Sequence, residues 1–434
     1  MKKLESWLMS LTQGAMPDFK ECLVYLGGYF PLLKQCDALE QAKQWHSEDN
    51  VAIHTCGVLT ALYQLFAQEA HHLSGEQKQI LILSVLLQDI VKPITSCSSV
   101  IQGGERVIAP THEALGLDCL AIKLLELPIA YKAIINVMGL VGYHRKPKLL
   151  VIKKSDFSDY LSLALEVDLT MLYWLGRVNL QGRLCEDLHQ QLGYLELFKR
   201  VAKEYQLWNV NDPRANLIKK VQVKHSADEQ LYIDNYRVSE LASGKIMRAE
   251  ELGATTYTNA KNYGHLHVMC GISGSGKSTW IEQNLQSVEV ISLDNIRQEI
   301  NGKRACQKNL GQVLQLAKFR LKTALANKRD VVWDATNLRF DHRKMICDLG
   351  REHGALVTLV VFHLKEATLR SGNRQRSHAI PNEVITRQIE QWQWPSMTEA
   401  HRTLIVGDIH SPIKKQAMKA HHQRRSTLLA LGSF

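Results

Sequence analysis

The segment GISGSGKST, Gly271 to Thr279, constrains this chain more than any other part of it. It follows the apolar run HLHVMC and opens into KSTWIEQNLQ, so the spacing G-x-x-x-x-G-K-S falls between a strand and a helix. Glycines in such a turn let successive backbone N–H groups face one anion, and the helix N-terminus adds its partial positive charge. Gly271, Ser273, Gly274, Ser275, Gly276 and Thr279 would form a cradle for the β-phosphate of ATP. Lys277 could reach the β and γ oxygens, and Ser278 could ligate Mg²⁺. A chance glycine-rich turn, the bland alternative, would not need both flanking elements.

The text around the loop fixes a fold class. HLHVMCG, VEVISLD, DVVWDATN, LVTLVVFHL and RTLIVGD are short apolar runs rich in β-branched residues, separated by amphipathic segments. Alternation of this kind predicts a parallel sheet covered by helices on both faces, with ligands at the carboxyl ends of the strands. Up to about residue 205 the periodicity is helical instead: in HTCGVLTALYQLFAQEAHHL, the residues His54, Val58, Leu62 and Leu65 recur at helical spacing. The chain thus divides into an all-α part at 1–205, a connecting segment at 206–263 that could include a small β-hairpin, an α/β part at 264–410 and a basic tail at 411–434.

Composition narrows the class of protein. The hydrophobic share of 45% over 434 residues suffices to bury more than one core. No uninterrupted apolar run reaches membrane-spanning length, and the opening MKKLESWLMSLTQGAM is too polar for a signal-peptide core. Nine cysteines without a C-x-x-C spacing suit reduced thiols, so a cytoplasmic location without membrane association is expected. The formal charge of +10 is concentrated in RKPKLLVIKK, Arg145 to Lys154, and in the tail after Ser411, where there are five Lys or Arg and no acid. Such clusters favour phosphate-bearing partners in a salt-dependent way, although a solvated face or a loose tail reads the same.

Three further stretches add chemistry to the loop. In SLDNIRQEI, Asp294 stands just past a strand, where a carboxylate could accept a proton from an attacking hydroxyl. Arg297, one turn on, could hold a phosphate of the acceptor, while an N-cap aspartate beside a surface arginine is the structural alternative. Asp334 ends VVWD near the expected magnesium water shell, although the same spacing suits an Asx turn. In NRQRSHAIP, Arg374 and Arg376 lie on a segment that could close over the triphosphate and stabilise charge on the transferred group.

Taken together, GISGSGKST, SLDNIR, VVWDATN and NRQRSHAIP resemble the P-loop kinase domain of 5′-hydroxyl polynucleotide kinases. The resemblance implies that Asp294 is the general base on a 5′-OH, that Arg297 binds the phosphate on the acceptor's 3′ side, and that Lys277 with Arg374 or Arg376 clamps the γ-phosphate. RNA or DNA 5′-OH ends would then be the partner. Gluconate, nucleoside and toxin-type kinases share the cradle, so a small-molecule acceptor stays open.

The first half carries a second resemblance. WHSEDNVAIHT, LLQDIVKP, THEALG, GYHRKP and GRVNLQGR occur in an order similar to that of HD-domain phosphohydrolases, including those of CCA-adding enzymes and of HD–polynucleotide kinase fusions in bacterial RNA repair. The resemblance implies a metal site from His54, the pair Gln88 and Asp89, His112, His144 and Asn179. Gln88 and Asn179 stand where that family has a histidine and an aspartate, which removes one anionic charge and one imidazole donor. Asp168 is a conceivable substitute carboxylate, and Asp89 with His112 and His144 could still hold Mn²⁺ or another divalent ion. An impaired domain that positions the strand, an active 2′,3′-cyclic phosphodiesterase or phosphatase, and an ATP-switched RNA-binding protein are the competing expectations.

Overall fold

The computed structural model describes residues 2–38, 51–95, 97–101, 104–108, 111–183, 187–218, 226–304, 308–376 and 378–407. The basic tail after Ser411 lies outside them. The chain divides into two compact units, Met1–Pro213 and Arg214–Phe434.

The first unit is a helical bundle. Its centre is built from the helices Val51–Gln68, Gly75–Leu87, Tyr131–Tyr143 and Leu169–Gln181. Helix Gly75–Leu87 starts with a capping box in which Ser74 and Gln77 satisfy each other's backbone N–H groups. Its body, ILILSVLL, is buried all round, as a helix at the middle of a bundle must be. Val51–Gln68 has the length and hydropathy to cross a membrane, but Val58, Leu62 and Leu65 are buried within the bundle. Against the expectation of helix throughout, Cys97–Ile101 (β1) and Gly104–Ile108 (β2) pair as an antiparallel hairpin. The sequence favours the strands, since CSSVI and GERVI each end in the β-branched pair Val-Ile.

The second unit holds a five-stranded sheet built from His265–Cys270 (β3), Glu289–Ser292 (β4), Val331–Asp334 (β5), Leu356–His363 (β6) and Arg402–Gly407 (β7). The order is β4-β5-β3-β6-β7 and every pairing is parallel. β3 and β6 are buried along their whole length, which is why they read as continuous apolar runs. Alternation along β3 sends Met269 toward helix Lys277–Asn284, in a cluster with Ile281, Leu285, Val360 and Phe362. Leu266 faces the opposite way, against Gly350 of helix Phe340–Glu352. Helices therefore cover both faces, as expected.

The segment expected as a connector is different from its reading. Ala227–Ala242 and Ala254–Lys261 are helices, the first opened by a capping box between Ser226 and Glu229. Tyr232, Ile233, Tyr236, Ala260 and Tyr263 form a buried cluster with Leu356 at the start of β6. The run LYIDNYRV is rich in aromatic and β-branched residues, but its buried residues repeat at helical spacing, and packing against the sheet decides the outcome. No hairpin occurs among the described residues of this stretch.

Candidate functional sites

The glycine-rich loop leaves the carboxyl end of β3 and runs into helix Lys277–Asn284. Gly274 (φ +86°) and Gly276 (φ +81°) are in the left-handed region, where a side chain would strain the backbone. A Cβ on Gly274 would also lie 2.3 Å from the Leu369 carbonyl oxygen, so no larger residue fits there. The N–H groups of the first helical turn, at Lys277, Ser278 and Thr279, have no intrahelical acceptor and form the wall of the cradle. Ser275 is buried in the loop, and the Gly271 N–H donates to Thr336 O at 2.9 Å, which fastens the loop to the end of β5.

Lys277 lies over this loop. Its Nζ donates to Gly271 O at 2.7 Å and to Ile272 O at 3.1 Å. Burial pushes the ammonium down to about 8, although Asp334 and, more weakly, Asp294 favour its charged form. Asp334 is raised above the usual carboxylate range by burial, against the pull of Lys277 and a hydrogen bond from Ser292, its cross-strand partner. Arg376 is among the leading charges acting on both Lys277 and Asp334, and Arg374 is not. Between the two arginines of the lid segment, electrostatic proximity therefore favours Arg376.

Asp294 sits in the first turn of helix Leu293–Asn301, directly past β4, with about half of its side chain exposed. Its charge acts on Lys277 and Asp334, more weakly than these two act on each other, so the carboxylate lies on the loop's side of the sheet's carboxyl end. Arg297 Nη1 donates to Asp294 Oδ1, a contact between the expected base and the expected phosphate ligand that spacing alone did not reveal. The residues fit Mg²⁺·ATP: a positive-φ glycine loop for the phosphates, a lysine beside it, the exposed Ser278 hydroxyl, and Asp334 for the metal's water shell.

Several supporting residues were not anticipated. Asn337 Nδ2 donates to Met269 O at 2.6 Å, tying the loop after β5 to β3. Arg343, fully buried, donates Nε to Glu399 Oε2 at 2.6 Å and Nη2 to Oε1 at 3.0 Å, while Nη1 binds the carbonyls of Asn337 and Leu338. The sequence offered no signal for a pair 56 residues apart.

In the first unit, the six residues singled out there converge. A close approach of Gly57 and Gly182, where a Cβ on Gly57 would lie 2.5 Å from Gly182 O, brings helices Val51–Gln68 and Leu169–Gln181 together. His54 Nε2 then donates to Asn179 Oδ1 at 2.8 Å, and Gln88 Nε2 donates to the same oxygen at 3.4 Å. Asn179 Oδ1 thus accepts from its neighbours, and His54 is held in an amide network. Burial lowers His54 to about 4, which keeps the imidazole neutral at ordinary pH.

Asp89, His112 and His144 form a trio beside this network, with His54 Nε2 3.7 Å from Asp89 Oδ2. All three members are buried, and one donor atom of each lies within 4.8 Å of the others. His144 Nδ1 donates to Val141 O at 2.8 Å, which leaves Nε2 as the available ligand atom. Against the cost of burial, Lys92 and the histidines hold Asp89 far below the ordinary carboxylate range. Lys92, 3.0 Å from Asp89 Oδ2, was not singled out, although its i+3 spacing was the available signal. Two imidazoles and a carboxylate suit a transition-metal ion better than Mg²⁺. Asp168 does not substitute as a ligand: it is the N-cap of helix Leu169–Gln181, where its Oδ1 accepts from Thr170 and Met171.

With this geometry in hand, comparison with known proteins is informative for one region. A family described as "AAA domain" matches residues 266–394. This segment is therefore similar to that family, and it contains the glycine loop described above. The match runs from β3 through the lid and helix Asn382–Glu390, so it contains Lys277, Asp294, Asp334 and Arg376. A solved structure of a gluconokinase from Sinorhizobium meliloti 1021 is similar at 21% identity, over 40% of this chain and 99% of that one, with a TM-score of 0.28. No curated protein matches the chain.

Proposed function

We propose that the chain is a cytoplasmic ATP-dependent kinase whose acceptor is the 5′-hydroxyl end of RNA or DNA. The observation that carries this reading is the contact of Asp294 with Arg297 just past β4, within electrostatic reach of Lys277. A carboxylate and a guanidinium side by side suit an acceptor that offers a hydroxyl to deprotonate and a nearby phosphate to bind. A neutral polyol needs only the first, whereas an anionic small acceptor such as gluconate could use both, so the acceptor screen decides between them. In this reading Asp294 takes the proton of the attacking oxygen, Arg297 orients the neighbouring phosphate, and Lys277 with Arg376 stabilises charge on the γ-phosphoryl group. Mg²⁺ at Ser278, with Asp334 behind its waters, would supply further charge neutralisation.

The test is an acceptor screen with γ-labelled ATP against 5′-OH RNA, 5′-OH DNA and gluconate. Label on an oligonucleotide end supports the proposal. Label on gluconate alone replaces it with a small-molecule kinase.

A second reading rests on the trio Asp89, His112 and His144. Its donor set favours a phosphohydrolase of HD type acting on 2′,3′-cyclic or 2′-phosphate ends, reduced to one ion because His54 and Asn179 are occupied with each other. The trio would hold Mn²⁺ or a similar ion that polarises a phosphate, with Lys92 as a further phosphate contact. Manganese-dependent phosphate release from such an end, lost in Asp89→Ala, supports it. Retained release in that variant counts against it.

A further inference from the structure

The phosphate loop is held from outside by a side chain with no role so far. Ser273 N–H donates to Gln388 Oε1 at 2.9 Å, across 115 residues of sequence. Gln388 belongs to helix Asn382–Glu390, which follows the lid segment. One peptide of the loop is thus committed to that helix, and the phosphate-facing N–H groups are those farther along, in the first turn after Gly276.

The same helix is tied to the other side of the lid. Arg370, on helix Glu366–Arg374, donates to Thr386 Oγ1 at 2.9 Å and to Asn382 O at 3.4 Å. Asn373, buried, closes the segment between the two helices: its Nδ2 donates to Ile380 O at 2.8 Å and its Oδ1 accepts from Ile380 N–H at 3.0 Å. Arg376 lies within the span so closed. Gly372 and Gly274 touch so closely that a Cβ on Gly372 would lie 2.2 Å from Gly274 O. The loop, the Asn373-closed segment and the helix are therefore joined to one another, and the Ser273–Gln388 bond ties the loop to the helix that follows that segment.

From this we infer that Gln388 is a positioning residue for phosphoryl transfer, coupling a filled phosphate loop to the placement of Arg376. The inference rests on the phosphotransfer reading but not on the identity of the acceptor. Its amide carbonyl is the working atom: it accepts the Ser273 N–H and transmits any turn of that peptide to the helix. A carboxylate at this position would keep the acceptor, whereas a thioether would keep the length and remove it.

The experiment uses the full chain, Mg²⁺ and a non-hydrolysable ATP analogue, with trypsin as the probe of Arg374 and Arg376, both exposed. Dissociation constants come from calorimetry, and cleavage at the two arginines is followed by mass spectrometry. In the wild type the analogue should slow cleavage at least about fivefold, the low end of ordinary coupling between sites. In Gln388→Met, protection should fall below about twofold while affinity weakens by only about threefold, the value of one ordinary hydrogen bond. Gln388→Glu should restore protection. Full protection in Gln388→Met overturns the inference, as does a collapse of its affinity, which would make Gln388 a part of the cradle itself. A wild type that binds the analogue without protection overturns the inference and leaves the phosphotransfer reading standing. Failure of the wild type to bind the analogue overturns that reading, and the inference with it.

Discussion

Raising the pH should weaken nucleotide binding through one residue, Lys277. Burial lowers its ammonium from 10.5 to about 8 in the free loop. A triphosphate at the loop stabilises the charged form and returns it toward the ordinary lysine value. The bound state therefore holds the proton more tightly, so affinity is full below pH 8 and is lost as pH rises through the free-state value. At pH 9 only about one-tenth of the free protein would carry the ammonium, and the apparent Kd should be about tenfold weaker than at pH 7. That corresponds to ~1.4 kcal/mol. Titration calorimetry with a non-hydrolysable analogue and Mg²⁺, in buffers of different ionisation enthalpy, reads both Kd and protons. Binding should take up about half a proton at pH 8 and about nine-tenths at pH 9. Lys277→Arg cannot lose its charge in this range, so its affinity should be flat. A flat wild-type profile, or the same slope in Lys277→Arg, would refute the assignment of this lysine as the titrating phosphate contact.

Other perturbations separate the chemistry from the scaffold. Arg343→Ala leaves the buried Glu399 carboxylate without its bidentate partner and should cost about 3–5 kcal/mol in denaturant unfolding of the second unit. Arg343→Met combined with Glu399→Leu should recover much of that loss, and failure to do so would point to the carbonyl contacts of Arg343 instead. Gly274→Ala forces a side chain into the left-handed region and against Leu369 O; about 1–3 kcal/mol of strain should appear as weakened nucleotide binding in calorimetry. Metal analysis after equilibration with Mn²⁺ or Zn²⁺ should find one ion per chain in the first unit, lost in Asp89→Ala. Two ions there would contradict the occupation of His54 and Asn179 by each other.

The sheet was legible because parallel strands buried on both faces leave unbroken apolar runs, and all five runs became strands. The loop was legible because its glycines are required by backbone geometry, visible at Gly274 and Gly276. The helical segment 227–242 was misread since a run of Tyr, Ile and Val fits either period over a few residues. Its capping box, Ser226 with Glu229, was the signal that distinguishes them. Arg343 with Glu399 and Ser273 with Gln388 were not legible at all, since each pair is made by the fold across long separations. The first unit shows an intermediate case. Motif order brought His54, Asp89, His112, His144 and Asn179 to one place, but the side-chain geometry, with His54 bonded to Asn179 and also near Asp89, was not readable from it.

The most direct test of the phosphotransfer mechanism is single-turnover transfer of labelled γ-phosphate to a 5′-OH oligonucleotide by the wild type and by Asp294→Asn, with nucleotide affinity measured in parallel. The expected result is a wild-type product that falls about 10²–10⁴-fold in Asp294→Asn, while the analogue still binds the variant. Transfer at the wild-type rate by Asp294→Asn, or no transfer by a wild type that binds the nucleotide, would contradict it.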